Sequence, residues 1–239
     1  PQQVQRILAS HQLKPWRVHH WLSSEVARDE AFKQQVLEVC DLYTRPLAPF
    51  ESVWCIDEKT SLQPRSRTTP TKPPQPGVPA RLEHEYIRKG ALNLFAAFDT
   101  RTGKVIAQTK KRKRQAEFIE LLEEIDRETP ASITTIHFVC DNASTHHGKL
   151  ARAWLKEHPR FQIHFTPVHC SWMNQVEQWF SVLQRKRMKA PNFKDLNDLE
   201  AKILAFVSEW NDAAHPFAWT PASFAKVLAK VGSTIEAAA

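Results

Sequence analysis

Three carboxylates stand where acid chemistry becomes possible. Asp57 closes the apolar run "SVWCID", Asp141 closes "SITTIHFVCD", and Glu177 lies within "SWMNQVEQWFSVLQRKR". Each has an ordinary explanation taken singly. Asp141 and Asn142 suit the turn after a strand, because both side chains hydrogen-bond nearby backbone; Glu177 suits a solvated helix. The combination points further. If the two apolar runs are neighbouring strands, both aspartates emerge at one edge of a sheet, where α/β sheets commonly bind ligands. Projected at ~100° per residue, Glu177 falls on the rim of a helical face built from Trp172, Val176, Trp179 and Leu183, with Met173 and Phe180 beside them. A rim acid can reach across to such an edge. Gathering three acids is unfavourable, since each like-charge pair costs about 4 kcal/mol at ~4 Å with an effective dielectric near 20. Divalent cations remove that repulsion. Mg²⁺ takes a few carboxylates and keeps positions for water and phosphate oxygens, and two ions about 3.5–4 Å apart stabilise the attacking and leaving oxygens of an in-line phosphoryl displacement. Glu58 follows Asp57 directly, but successive strand residues face opposite ways, so Asp57 is the expected site acid of the two.

The elements that must position these acids are legible from period. Val4, Ile7 and Leu8 have helical spacing, and "QLKPWRVHHWL" interleaves basic and aromatic residues after a proline. A helix is expected through "DEAFKQQVLEVCDLY", with Phe32, Val36, Leu37, Val39 and Cys40 on one broad face, ended by Pro46 and Pro49. "SVWCID" is short and nearly continuously apolar, the pattern of a strand covered on both faces and terminated at Asp57. Residues 64–79, "PRSRTTPTKPPQPGVP", carry too many prolines to ladder in a sheet and are expected to form an inserted loop. "ALNLFAAFD" and "KVIAQ" flank "TRTG" as a hairpin. Phe118, Leu121, Leu122 and Ile125 form a helical stripe, "SITTIHFVC" returns to strand, residues 146–157 suit a helix, and "FQIHF" is a further strand. Leu196, Leu199, Ile203, Phe206, Val207 and Trp210 repeat at helix spacing, and "WTPASFAKVL" starts another helix with Thr220 as N-cap and Pro221 at its first position. Strands alternating with helices describe an α/β sheet with helices on its faces.

Composition sets the frame. The 239 residues are 42% hydrophobic and 25% charged, which suits a globular protein with a sizeable core. Lys+Arg 33 against Asp+Glu 26 gives +7 and tilts the expectation toward a polyanionic partner. Cys40, Cys55, Cys140 and Cys170 are widely spaced, so reduced core thiols are expected in place of disulfides or a zinc site. No segment is long and apolar enough to span a bilayer, and no signal peptide is visible, so a cytoplasmic protein is expected. The chain begins "PQQVQ", without a methionine, and further sequence upstream is expected.

The residues also carry a family resemblance. "CIDEK" around Asp57, "VCDNASTHH" around Asp141 and "FTPVHCSWMNQVEQWFSVLQRK" around Glu177 resemble the three acid motifs of DDE transposases, in the bacterial insertion-sequence branch of the mariner superfamily. The 35 residues between Asp141 and Glu177 are close to that family's separation. "SWMNQVE" lacks the proline usual between the asparagine and the glutamate, which argues for the bacterial branch. The resemblance extends to "QRILASHQLKPWRVHHWLSS", similar to the tail of an N-terminal helix-turn-helix region, and to "WNDAAHPFAWTPASF". It implies a ribonuclease-H-like mixed sheet flanked by helices over residues 49–239, with the Pro-rich insertion 64–79, preceded by the end of the helix-turn-helix region and a linker over 1–48.

The resemblance further implies that Asp57, Asp141 and Glu177 hold two Mg²⁺ (or Mn²⁺) ions. Activated water then cuts transposon-end phosphodiesters, and the freed 3′-hydroxyl attacks target DNA at TA dinucleotides. The implied partner is double-stranded DNA, both transposon ends and target, bound by a homodimer at the nucleoid. Asn142 and His146 match the pattern after the second acid, as groups orienting water or phosphate or as a turn asparagine and a helix-start histidine. The basic clusters Lys110–Arg114 and Arg185–Lys189 are either solvated surface or phosphate contacts that position DNA without reading it. Two alternatives use the same residues: another ribonuclease-H-like nuclease, and an inactive transposase derivative that only binds DNA.

Overall fold

The computed structural model describes residues 2–15, 17, 29–188, 192–220, 225 and 229. Residues 16 and 18–22 of the basic and aromatic stretch and, apart from Ala225 and Ala229, the helix expected from Pro221 therefore lie outside the described residues. Helix α1 (Gln2–Ser10) leads in with Val4 and Ile7 exposed. Helix α2 (Glu30–Thr44) begins at Asp29, whose carboxylate accepts from the Phe32 N–H at 2.9 Å, a side-chain N-cap. Its buried face is Phe32, Val36, Val39, Cys40, Leu42 and Tyr43. Leu37, expected inside, is exposed, because it sits one ~100° step off the stripe that Phe32, Val36, Val39 and Tyr43 define.

Strand β1 (Glu51–Leu62) overturns the expectation that Asp57 ends it. Backbone pairing carries it on: Asp57 lies opposite Ala96, and the partnership continues to Leu62 opposite Leu92. The insertion is likewise more ordered than a loop. β2 (Arg65–Arg67) and β3 (Tyr86–Arg88) pair antiparallel as a separate two-stranded sheet, with bridges Lys72 to Arg81 and Gln75 to Val78 farther out. The prolines at 64, 70, 73, 74, 76 and 79 fall between the paired positions, so their missing N–H groups interrupt nothing.

β4 (Leu92–Asp99) and β5 (Val105–Lys110) form the expected hairpin. Gly103 in its turn has φ +76°, and a Cβ there would lie 2.1 Å from the His215 backbone, so glycine is required for both conformation and space. In α3 (Gln115–Glu128) the stripe Phe118, Leu121, Leu122 and Ile125 is fully buried, as its spacing requires. β6 (Thr135–Cys140) stops immediately before Asp141. The helix expected over 146–157 is two helices, α4 (Ser144–His147) and α5 (Lys149–Glu157), divided at Gly148. β7 (Phe161–Phe165) follows. A 3-10 turn, Ser171–Met173, leads into α6 (Gln175–Leu183), which runs out through a π turn, Gln184–Met188, before α7 (Leu196–Asp212).

The five-stranded sheet has the order β5-β4-β1-β6-β7. β5, β4 and β1 run antiparallel, while β1, β6 and β7 run parallel. One face, with Val53, Cys55, Ala96, Phe98 and Val139, packs on α2, α6 and α7. The other, with Trp54, Ile56, Phe95 and Phe138, packs on α3 and α5. Both faces are covered, which explains the nearly unbroken apolar runs. Trp172, expected inward, is exposed while Met173 is buried; the tighter 3-10 geometry shifts the phase ahead of α6. All four cysteines are buried free thiols. Among the described residues no helix is long and apolar enough to cross a membrane.

Phe138 is fully buried between β6 and α3. Phe138→Ala is expected to lower stability by about 3–5 kcal/mol, measured as a fall in the urea unfolding midpoint.

Candidate active site

The site is built on the parallel pairing of β1 with β6. Trp54 lies opposite Phe138 and Cys55 opposite Val139, and two residues further on the same register reaches Asp57 and Asp141. Pleating then sorts the neighbours. Val53 and Cys55 face the layer of α2 and α6, whereas Trp54 and Ile56 face α3. By alternation Asp57 belongs to the α6 side and Glu58 to the α3 side, so the two face opposite ways.

Asp57 is 6% exposed, and its Oδ1 accepts from the Glu58 N–H at 2.7 Å. Burial pushes its carboxyl up to about 7. The negative charges of Asp141, Glu177 and Glu58 push the same way, and only the Glu58 N–H opposes them. Asp141 and Glu177 are thus near enough for their charges to act on Asp57. Asp141 is displaced in the opposite direction. The His146 imidazole hydrogen-bonds it and outweighs its partial burial, and the Ala143 N–H, 3.0 Å from Oδ1, adds to the effect.

His146 is fully buried in α4. Its Nδ1 lies 2.9 Å from Asp141 Oδ1 and 3.0 Å from the Asp141 carbonyl. Its Nε2 lies 3.2 and 3.3 Å from the two Glu58 carboxylate oxygens. Acceptors at both ring nitrogens require both to donate, so the ring is an imidazolium. Burial works against that charge, but the hydrogen bonds to Asp141, Cys140 and Glu58 prevail and raise its pKa to about 12. Lys113 Nζ is 3.2 Å from Glu58 on the far side. Asn142 instead donates from Nδ2 to the Thr166 carbonyl at 2.8 Å, tying the end of β6 to the end of β7.

Glu177 sits in the first turn of α6 and is half-buried. With Trp172, Gln178, Ser181, Ala218 and Trp219 it lines an open cleft of about 430 Å³. The start of α6 is anchored by Asn174, which is fully buried and donates from Nδ2 to the Ile56 carbonyl at 2.8 Å. Ile56 immediately precedes Asp57, so one side-chain bond ties the helix bearing the third acid to the strand bearing the first. Tyr43 braces the same junction by donating to the Met173 carbonyl at 2.9 Å. In the sequence Asn174 shows as the asparagine of the third motif and as an N-cap residue type ahead of a helix, yet its side chain makes no cap bond.

Among the described residues no three His, Cys, Asp or Glu side chains are gathered tightly enough to form a ready metal cage. The arrangement is an aspartate within β1 past its pairing with β6, a second aspartate immediately after β6, and a glutamate in the first turn of α6 whose charge acts on the first. In the basic segment after β5, Lys110 pairs with Glu120, Arg114 with Glu117 and Lys113 with Glu58, while Lys111 and Arg112 are exposed. In the second cluster Arg187 pairs with Glu209, and Lys189 lies outside the described residues.

Residues 52–200 match the model of the DDE superfamily endonucleases. The chain belongs to this family. The match takes in β1 through the start of α7 and therefore all three acids. Among curated proteins, the chain is similar to the insertion element IS630 uncharacterized 39 kDa protein of Shigella sonnei, at 34% identity over 90 residues; these make up 38% of this chain and 26% of that protein. The match thus spans about a quarter of the relative's length. Among solved structures, the Mos1 strand transfer complex superposes with a TM-score of 0.59 at 15% identity, over 99% of this chain and 69% of that one. The catalytic domain of Mos1 mariner transposase gives 0.54 at 15% identity, over 92% and 95%. At such identity the likeness shows the fold, the ribonuclease-H-like mixed sheet expected from the sequence.

The Asp57 environment has a testable sign. The folded chain holds this proton to about pH 7 while an unexposed-to-field aspartate releases it near 3.8, so unfolding releases a proton between those values and stability falls as pH rises through them. In chelator, Asp57→Asn is expected to be more stable than the parent at pH 8 by up to about 4 kcal/mol, with the gap shrinking toward pH 4 in thermal unfolding. Asn174→Ala is expected to cost about 1–3 kcal/mol through the orphaned Ile56 carbonyl, read in the same assay.

Proposed function

We propose that this chain is the catalytic domain of a DDE transposase, in which Asp57, Asp141 and Glu177 hold two Mg²⁺ or Mn²⁺ ions. The domain cuts double-stranded DNA at transposon ends and joins the freed 3′-hydroxyl to target DNA, at TA, as a homodimer on DNA. The observation that carries the reading is the convergence of Asp141 and Glu177 on buried Asp57, which lies within β1 two residues past its parallel pairing with β6. The donor set fits hard divalent cations, being all carboxylate oxygen. Among the described residues neither Asp57 nor Glu177 forms an ion pair, so no side-chain cation compensates their repulsion. Mos1 paired-end complexes with Mn and with Mg carry the same implication for a relative of this fold.

When bound, such ions would activate water and neutralise the charge developing on the phosphate. The remaining work belongs to the chain. Asp57 is held rigid by the sheet, Asp141 is oriented by His146, and Glu177 approaches from α6 beside the cleft that admits the substrate. Exposed Lys111 and Arg112 contact phosphates near the acids and fix the register of the duplex.

The test is cleavage by the full protein carrying this chain, with plasmid DNA bearing the inverted repeats that border its gene, in Mg²⁺. Asp57→Asn, Asp141→Asn and Glu177→Gln are each expected to lower cleavage by about 10²–10³-fold or more. Unchanged cleavage in all three overturns the site. Equal cleavage of plasmid without the repeats overturns the transposase reading in favour of a general nuclease.

A further inference from the structure

Glu58 is a carboxylate on the wrong face of its strand. It points away from the α6 side where Asp57 lies, and its side chain has no exposed surface. Such an ion is costly to bury unless it is paired with good geometry. Here the pairing leads back to the site. Lys113 approaches one side of Glu58, His146 takes both carboxylate oxygens on the other, and the second nitrogen of His146 reaches Asp141. Signs alternate along the row Lys113, Glu58, His146, Asp141, and the sum is zero.

The topology allows this because β6 ends at Cys140 while β1 runs on to Leu62. Residues 141–147 fold back beside the β1 segment that β6 leaves unpaired, carrying His146 against Glu58 and against the Phe118 ring at 4.6 Å. The consequence falls on a particular oxygen. Asp141 Oδ1 accepts from His146 Nδ1 at 2.9 Å and from the Ala143 N–H at 3.0 Å, so it is engaged twice. The Asp141 side chain is nonetheless 39% exposed, which leaves Oδ2 as the oxygen presented outward.

We propose that Glu58 and His146 are positioning residues that lock Asp141 so that Oδ2 faces the divalent cation, with Lys113 linking this clamp to the basic segment after β5. The inference rests on the assignment of Asp141 as a metal ligand. Hydrogen-bonding partners behind a ligating carboxylate typically contribute 10–100-fold in metal affinity, and the clamp supplies this for Asp141 alone.

The test is Mn²⁺ titration of the full protein without DNA, with free Mn²⁺ followed by electron paramagnetic resonance and folding checked by circular dichroism and Tm. Asp141→Asn is expected to weaken Mn²⁺ strongly; if it binds Mn²⁺ as the parent does, the ligand assignment itself falls. Glu58→Gln keeps the shape of the side chain and is expected to weaken Mn²⁺ by about tenfold or more. Should it fail to fold, Lys113→Met, on a half-buried side chain, takes its place with a similar loss. At His146 the amide of Asn overlies Nδ1 and that of Gln overlies Nε2. His146→Asn is therefore expected to retain more Mn²⁺ affinity than His146→Gln, a ranking that loss of packing alone does not produce. If Asp141→Asn loses Mn²⁺ while folded Glu58→Gln, or folded Lys113→Met in its place, binds like the parent, the clamp is overturned and the ligand assignment stands.

Discussion

The parallel pairing of β1 with β6 is the constraint on which the rest of the structure depends. Once Cys55 lies opposite Val139, the same register brings Asp57 and Asp141 abreast where β6 ends and β1 runs on. The pairing is held by apolar cover on both faces, α2 and α6 on one side and α3 and α5 on the other. The same cover that makes the strands apolar removes Asp57 from water. A carboxylate is thereby placed in a low-dielectric layer next to two others, and its proton affinity rises accordingly.

The two aspartates meet this cost differently. Asp57 has one backbone donor and, among the described residues, no cationic partner, so its field is unrelieved by the chain. Asp141 is relieved by His146, whose charge is in turn held by Glu58. The pleat makes the difference: Asp57 and its neighbour Glu58 project to opposite faces, so one approaches α6 and the other reaches His146 of α4. A two-residue acidic step in the sequence becomes two separate electrostatic environments.

Placement of Glu177 depends on junctions and not on the helix alone. Asn174 bonds the Ile56 carbonyl, and Tyr43 bonds the Met173 carbonyl, so α2, β1 and the entry to α6 are locked together within a few residues of Asp57. Helix α7 then closes the layer through Leu199, Ile203 and Phe206. The two-stranded ribbon of β2 and β3 stands apart from this core and leaves the sheet order undisturbed.

What the sequence determined by itself is local and periodic. Apolar runs and helical stripes marked β1, β4 to β7, α2, α3 and α7, and they placed Asp141 one residue past a strand, because burial on a face repeats at the period of the element. The three acids stood out as candidates for the same reason: a carboxylate closing an apolar run and one on a helix rim are features of one segment. The tertiary structure alone decided how far β1 continues, since β4 supplies the hydrogen bonds for residues that are not apolar. It alone ordered the proline-rich segment as a ribbon, brought α2 into the core, and turned Trp172 outward through a 3-10 turn. It also decided the partners of Glu58 and Asn174, which lie 88 and 118 residues from the groups they meet. A hydrogen bond across such a separation leaves no period in the chain, because its energy depends on where two elements meet and not on the residues beside either group.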